Sequence, residues 1–373
     1  GRGTSSLATV DGASGITLQN AGTLGAAVFG TADLGGGTNT LSLRGTGDGT
    51  AVNGTAGTFN LSGGSVIGAS ILSKLDLGTW TLTGDGTGYT TINAGDGGSN
   101  DGLLILNGTG LAAGININGA TVRAMNAAAL GTGLITMINP TLQFASTDTY
   151  TNAISLAASS PSTDPTNLQT FGTGVVATLT GRISEANAGQ PLVFSSVDSN
   201  GVASTGTFVL ANAALNNSWT GATTITAGTT LRGTTSQISG GSIVNNGVLN
   251  YNQNFTGSVS QAISGSGSLL VDGGGYVSLF GTGTFTGGTT VNGSTLQIGD
   301  GATDGSITGA ITLANNARAT FVRTDNFNFT SNISGSGDIR ALGTITLSGA
   351  ITTSGTILMS PWPEPAPVPT SPP

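Results

Sequence analysis

The sequence predicts an all-β protein: a right-handed parallel β-helix, or β-solenoid, forming a rod with an extended proline-rich C-terminal tail. Three observations predict it. Apolar residues alternate with polar ones in short runs, Gly, Asn or Asp bounds each run, and longer segments recur in the same order at near-constant spacing.

The alternation is visible from the start of the chain. In "GITLQ" the apolar positions are Ile16 and Leu18, in "GTFNL" Phe59 and Leu61, in "GTWTL" Trp80 and Leu82. "ATVRAM" carries Val122 and Ala124, "STLQI" carries Leu296 and Ile298, and "AITL" carries Ile311 and Leu313. A period of two with β-branched Thr between apolar positions is the pattern of a strand with one buried side. Helical spacing is sustained almost nowhere. The best helical stretch, "RAMNAAALG" at 123–131, runs into Gly131 and predicts one turn at most.

Repeats separate a solenoid from a closed sandwich. "WTGATTITAGTTLRG" at 219–233 matches "FTGGTTVNGSTLQIG" at 285–299, and "GYTTINAGDG" at 88–97 is a degraded copy. "ISGSG" at 263–267 returns at 333–337, and "NNGVLNY" at 245–251 aligns with "NNARATF" at 315–321. These pairs share a spacing of about 70 residues, the mark of stacked copies. A short coil cannot bury its own apolar side, whereas stacked coils join those sides into one core. Thr suits the outer face of such a stack, and Gly and Asn suit its corners, where φ > 0 is needed. At about 20–25 residues per coil and about 4.8 Å between strands, some 350 residues give roughly 15 coils and a rod on the order of 75 Å long. Residues 1–360 are expected to form a single solenoid, with units clearest at 77–145, 205–250, 263–320 and 333–357.

Composition fits this economy. Of 373 residues 64 are Gly, about 17% against an average near 7%, and charged residues make up 7%. Net charge is −8, from 17 acidic and 9 basic residues without a basic cluster. Nucleic acid and anionic lipid surfaces both demand Lys/Arg stripes, so neither is expected as a partner. No apolar run approaches the roughly 18 residues of a membrane-spanning helix. The chain opens "GRGTSSLATV", without a basic and apolar leader, so a secretion signal is expected to have been removed.

Chemistry is sparse. There is no Cys and no His, which excludes thiolate metal sites, disulfides, Ser-His-Asp triads and imidazole bases, and no catalytic or cofactor-binding residue is assigned. Carboxylates remain: Asp96 with Asp101, Asp300 with Asp304, and Arg182 beside Glu185. Paired carboxylates can bracket a glycosidic bond, and repeated Gly-Asp-Gly at 47–49, 84–86, 95–97 and 299–301 makes Asp96, Asp101, Asp300 and Asp304 candidate calcium ligands. The same Asp residues sit in turn sequences, where their first role is to bond the local backbone. Trp80, Trp219, Phe285 and Phe321 fall at strand starts or in alternation and are expected inside, with an exposed sugar-stacking stripe as the alternative.

The order aromatic-Thr-Gly-Gly-Thr-Thr-β-branched-Asn, followed by Thr-Leu, resembles the autotransporter-associated β-strand repeat of bacterial surface proteins. The matching residues are Phe285, Gly287, Gly288, Thr289, Thr290 and Asn292 with Thr295-Leu296, and Trp219, Gly221, Thr223 and Thr224 with Thr230-Leu231. "ATVRAMNAAALGTGLITM" at 120–137 resembles the segment that follows that repeat, and the likeness covers roughly residues 77–357. The resemblance implies a β-helical passenger region, export and display on a bacterial surface; it implies no reaction. Passengers of this kind precede a membrane β-barrel, whereas 361–373, "PWPEPAPVPTSPP", has seven prolines and resembles the connector that follows some passengers. Such a tail is expected to be extended and barred from a ladder.

The function expected is therefore structural: an extracellular or cell-surface stalk, adhesin, filament or matrix subunit that associates end to end or with other surface proteins and polysaccharides. A carbohydrate-binding or polysaccharide-cleaving β-helix, or a passive spacer of a larger secreted protein, are the alternatives.

Overall fold

In the computed structural model, residues 15–20, 32–33, 38–45, 56–62, 66–97, 101–111, 114–158, 165–212 and 217–361 are described. The Gly-Asp-Gly at 47–49 and all of the proline-rich segment except Pro361 lie outside them. The fold is all-β, with short parallel strands stacked into a β-solenoid. The one helical element among the described residues is the 3₁₀ turn Ala127–Leu130, capped by the Asn126 side chain accepting from the Ala129 N–H. It falls inside 123–131, the best helical stretch of the sequence, and is one turn long. The chain divides into two compact units, Gly1–Gly221 and Ala222–Pro373.

In the first unit, one sheet stacks Gly15–Asn20, Asn39–Gly45, Ala69–Lys74, Thr91–Ala94, Gly114–Asn118, Ile135–Ile138, Ile154–Leu156 and Ile183–Glu185 in chain order. A second sheet runs from Ala56–Asn60 through Thr79–Asp85, Leu103–Thr109, Thr121–Ala124, Thr141–Phe144 and Thr166–Phe171 to Leu192–Val197. A third contains Asp148–Tyr150, Val175–Leu179 and Gly206–Leu210. Pairing between these strands is parallel, so equivalent side chains form columns along the stack. Leu41, Leu72, Ile92, Ile115, Ile135, Ile154 and Ile183 form one such column, and all are buried. Alternation sets this outcome: with a side-chain period of two, each strand turns one set inward and the other outward. The rings obey the same rule. Tyr150, Phe144, Phe208, Phe194 and Trp219 form a chain of contacts inside the unit, with centroids 4.6, 5.9, 5.2 and 6.3 Å apart.

The second unit is built the same way. One sheet stacks Thr229–Gly233, Val248–Asn252, Ser268–Asp272, Thr289–Asn292, Ile311–Ala314, Ile333–Gly335 and Ile351–Thr353. Another stacks Thr256–Val259, Tyr276–Leu279, Thr295–Ile298, Arg318–Val322, Asp338–Leu342 and Ile357–Ser360. The third side is Thr223–Ile225, Ser242–Asn245 and Ala262–Ser264, and later Phe327–Phe329 with Ile345–Leu347. The inward column Leu231, Leu249, Leu269, Thr289, Ile311, Ile333 and Ile351 gives the coil length. Leu231 pairs with Leu249 and Thr289 with Ile311, so one coil takes about 20 residues, a little less in the first case and a little more in the second.

That coil length changes the meaning of the sequence repeat. Matching segments stand about 70 residues apart, yet a coil takes about 20, so each match spans three coils and one extra side. The structure shows the offset directly. Thr223–Ile225 lies in the sheet of Ser242–Asn245, whereas its counterpart Thr289–Asn292 lies in the sheet of Thr229–Gly233. Ile263 and Ile333 are displaced in the same sense.

The motif's internal roles are also sharper than its sequence suggests. The first Thr of each pair, Thr223 and Thr289, points inward and is buried, whereas Thr290 points outward and is exposed. Thr223 donates its hydroxyl to the Ser239 carbonyl at 3.0 Å; the Thr289 hydroxyl has no hydrogen-bond partner. Trp219 and Phe285 are buried. Gly221 and Gly287 hold matching places against the backbone of the coil beneath: a Cβ on Gly221 would collide with the Gln190 carbonyl, and one on Gly287 would stand 2.5 Å from the Gly267 oxygen. Asn292 accepts from the Asn315 amide at 2.6 Å, one coil stapling the next.

Candidate functional site

Charge inside a solenoid is the first place to look for chemistry, and the first unit has it at one corner. The second inward column of its first sheet reads Leu43, Lys74, Ala94, Ile117, Met137, Leu156 and Glu185. Lys74, the chain's single lysine, is thus an interior residue and is fully buried. Ala94 is its neighbour in the next coil. The Lys74 ammonium donates to the backbone carbonyls of Asp76 and Asp101. Gly102, at φ +70°, closes the site: a Cβ there would collide with Lys74 Nζ. Burial pulls the Lys74 pKa down from 10.5 to about 8, against the opposing pull of Asp101, Asp76 and Asp96.

The sequence candidates Asp96 and Asp101 meet in this corner. Asp101 is buried, and its Oδ2 accepts from the backbone N–H of Asp96 at 2.9 Å and of Gly97 at 3.1 Å. Its carboxylate therefore fastens the 95–102 loop, and its carbonyl holds Lys74. Arg44 reaches the Asp76 carboxylate at 3.2 Å on the rim. The corner is a closed set of mutual partners. A cation entering it would meet an ammonium and two N–H donors.

Asp300 and Asp304 are used separately. Asp300 Oδ1 accepts from the N–H of Ala302 at 2.9 Å and Thr303 at 2.6 Å, an Asx-type turn that holds its pKa below the usual carboxylate value, with the Thr303 bond the larger cause. Asp304 faces Arg323 instead, at 3.5 Å. Arg323 is buried and surrounded: it donates to Asp325 through Nε at 2.8 Å and through Nη2 at 2.7 Å, gives Nη1 to the Gly305 carbonyl, and stacks over Phe327 at 4.3 Å. Hydrogen bonding to Asp325 raises the Arg323 pKa and lowers that of Asp325. Arg182 and Glu185 do not pair either. Arg182 donates to the Ser218 hydroxyl at 2.9 Å, and Glu185 accepts from the Thr220 hydroxyl at 2.6 Å and the Gln190 N–H at 3.1 Å. Among the described residues no three His, Cys, Asp or Glu side chains come together as a metal site.

The outer faces carry ladders of polar groups, most of them uncharged, with Arg123 and the Arg318–Asp338 pair among the exceptions. In the first unit Ser42, Ser73, Asn93, Asn116, Thr136, Ser155 and Ser184 succeed one another in register, with Asn116 donating to Asn93 at 2.9 Å. On the second sheet Arg123 donates to Gln143 at 2.7 Å, Gln143 to Gln169 at 2.6 Å and Gln169 to Ser195 at 3.0 Å, while the Arg123 guanidinium lies 3.5 Å from the Phe171 centroid. In the second unit Thr290, Thr312, Ser334 and Thr352 align. The large aromatics weighed for a sugar-stacking stripe, Trp80, Trp219, Phe285 and Phe321, are all buried.

Sequence reasoning missed Lys74, though its signal was present: in "ILSK", Leu72 inward and Ser73 outward put Lys74 inward. It also missed the last described coil, where Ile357, Leu358 and Met359 are each about half exposed.

No protein family, curated protein or solved structure matches the chain.

Proposed function

We propose that this chain is an exported, non-catalytic structural protein of the bacterial surface, akin to a β-helical passenger region, that serves as a stalk, adhesin or matrix subunit and associates with its own kind. The observation that carries the reading is the division of labour in the solenoid. Interior charges are tied to backbone and to one another, and the outer faces repeat neutral hydroxyls and amides. A surface of this kind depends little on pH or ionic strength, since it has few charges to titrate or screen. It offers a partner many identical weak contacts at regular spacing, which suits avidity more than a single tight site. The resemblance of Phe285–Asn292 and Trp219–Thr226 to the autotransporter-associated repeat supports export.

The test is location. Intact cells of the source bacterium, producing the full chain with an epitope tag, are labelled with antibody and treated with protease. Labelling and cleavage before lysis support the reading; a chain that stays protected until lysis overturns it.

A further inference from the structure

One sheet of the second unit departs from the neutral outer pattern. On the sheet that begins at Thr256–Val259, two outward columns run side by side: Tyr276, Thr295, Arg318 and Asp338 in one, Ser278, Gln297, Thr320 and Arg340 in the other. Two of the chain's eight Arg therefore stand on neighbouring coils of a single face, with a half-buried tyrosine on the same face. The Tyr276 hydroxyl donates to the Gln297 amide oxygen of the next coil, which draws the side chain toward the coils that carry the arginines. Burial raises the Tyr276 pKa, and Arg340 and then Arg318 oppose the rise, so both guanidiniums act on this hydroxyl.

Asp338 accepts from the Thr356 N–H at 2.9 Å and from Arg318 Nη2 at 3.2 Å, and these bonds hold its pKa below the usual carboxylate value. Two guanidiniums against one carboxylate leave the cluster cationic, in a chain whose net charge is −8. A cavity of about 320 Å³ lies on this face, lined by Arg318, Asp338, Arg340, Thr356 and Leu358. That volume is in the range of small-ligand sites. An acidic ligand is repelled by the chain as a whole, so complementary charge singles out this cluster. Guanidinium forks match a carboxylate in shape as well as in sign. Asp338 and the Thr356 hydroxyl offer acceptors and a donor for hydroxyl groups, and Tyr276 offers an amphipathic ring. A sugar acid carries the three matching parts: a carboxylate, hydroxyls and an apolar ring face.

We infer that this face is a binding site for a polysaccharide whose sugars carry carboxylates. Arg340 and Arg318 hold a carboxylate, Asp338 and Thr356 meet hydroxyls, and Tyr276 packs on a neighbouring sugar along the same face. The inference names a partner for the surface role proposed above and rests on that reading for its biological setting.

The purified full chain is titrated calorimetrically with oligomers of galacturonate, mannuronate and sialic acid, each as the free acid and as the methyl ester. At least one free acid is expected to bind, more weakly as salt rises, and its ester is expected not to. Arg340→Gln should weaken binding about tenfold or more. Tyr276→Ala should weaken it about fivefold, whereas Tyr276→Phe, which keeps the ring, should bind as the parent does. Arg232→Gln removes the same charge from the outer face of another sheet and should leave the affinity unchanged. Circular dichroism identical to the parent guards against a folding defect. Absence of binding to all three acids overturns the inference, and so does equal binding of acid and ester. An equal loss in Arg232→Gln makes the attraction a property of net charge and overturns it as well. A chain that binds only after residues 361–373 are removed assigns the cavity to that segment and also overturns it. A chain that binds no sugar acid yet is displayed on cells refutes this site and leaves the proposed function standing; one that binds but is confined within cells does the reverse.

Discussion

Lys74 offers the most direct test of how charge is held in this solenoid. Its folded pKa is about 8 against 10.5 for the free side chain, with burial as the leading cause. Below pH 8 the amine is protonated in both folded and unfolded chains, and the full desolvation cost is present. Between pH 8 and 10.5 the folded amine has lost its proton and the unfolded one keeps it, so the unfolded state binds more protons and stability rises with pH. A difference near 2.5 units corresponds to about 3 kcal/mol in total, most of it between pH 8 and 10. Tyrosines set the upper limit of the window. Burial raises Tyr89 to about 12 and also raises Tyr251, so above pH 10 the unfolded tyrosines ionise first and stability falls again. The assay is urea unfolding at pH 7.5 and 9.5, followed by the fluorescence of Trp80, whose Nε1 donates to the Arg44 carbonyl beside this corner at 3.1 Å, with Trp219 and Trp362 replaced by Phe. At an m of about 2–3 kcal/mol/M the midpoint should move up by about 1 M. Lys74→Met should abolish the rise and lower stability at pH 9.5 by about 2–4 kcal/mol, because the carbonyls of Asp76 and Asp101 lose their donor. An unchanged midpoint in the parent, or an equal rise in Lys74→Met, would refute the reasoning.

Other outcomes follow from packing. Thr289→Val replaces a buried hydroxyl without a partner by a methyl group of the same shape, and should stabilise the second unit by about 1 kcal/mol in thermal unfolding. Gly287→Ala forces a Cβ to within 2.5 Å of the Gly267 oxygen and should cost about 2 kcal/mol or more by the same measurement. Phe321→Ala empties a fully buried ring site in contact with Phe329 at 5.3 Å, and should cost about 3–5 kcal/mol. Millimolar Ca²⁺ should leave the melting temperature unchanged, since Asp101 and Asp300 already spend carboxylate oxygens on backbone N–H groups; a rise in the parent that Asp101→Asn removes would instead support the calcium reading.

The strands were legible because alternation is a local signal. Val122 and Ala124, or Leu296 and Ile298, fall on the inner side as their spacing requires. Ring burial was legible for the same reason. The order of the three sides was not. The match between 219–233 and 285–299 identifies a similar corner, but which sheet the corner belongs to depends on every intervening loop. Coils of unequal length, such as those closed by Leu231 with Leu249 and by Thr289 with Ile311, do not divide that distance evenly. The candidate carboxylates show the other limit. Asp300 and Asp304 are close in sequence, yet Asp300 bonds its own turn and Asp304 turns to Arg323, a residue from the following coil. Neighbourhood across coils is set by register, which short polar turns do not encode.

The extra side in each long repeat has a consequence for how such a chain can grow. A segment copied as three full coils would return the same residues to the same sheet, and one flank of the stack would collect every motif while the others drifted. A segment of three coils and one side advances like a screw thread cut at a fraction of a turn. Within the second unit the outward residues of the two Thr-Thr pairs, Thr224 and Thr290, accordingly stand on successive flanks. Insertions can then arrive in multiples of one side, each about a third of a coil, without breaking the inward alternation that keeps the stack closed.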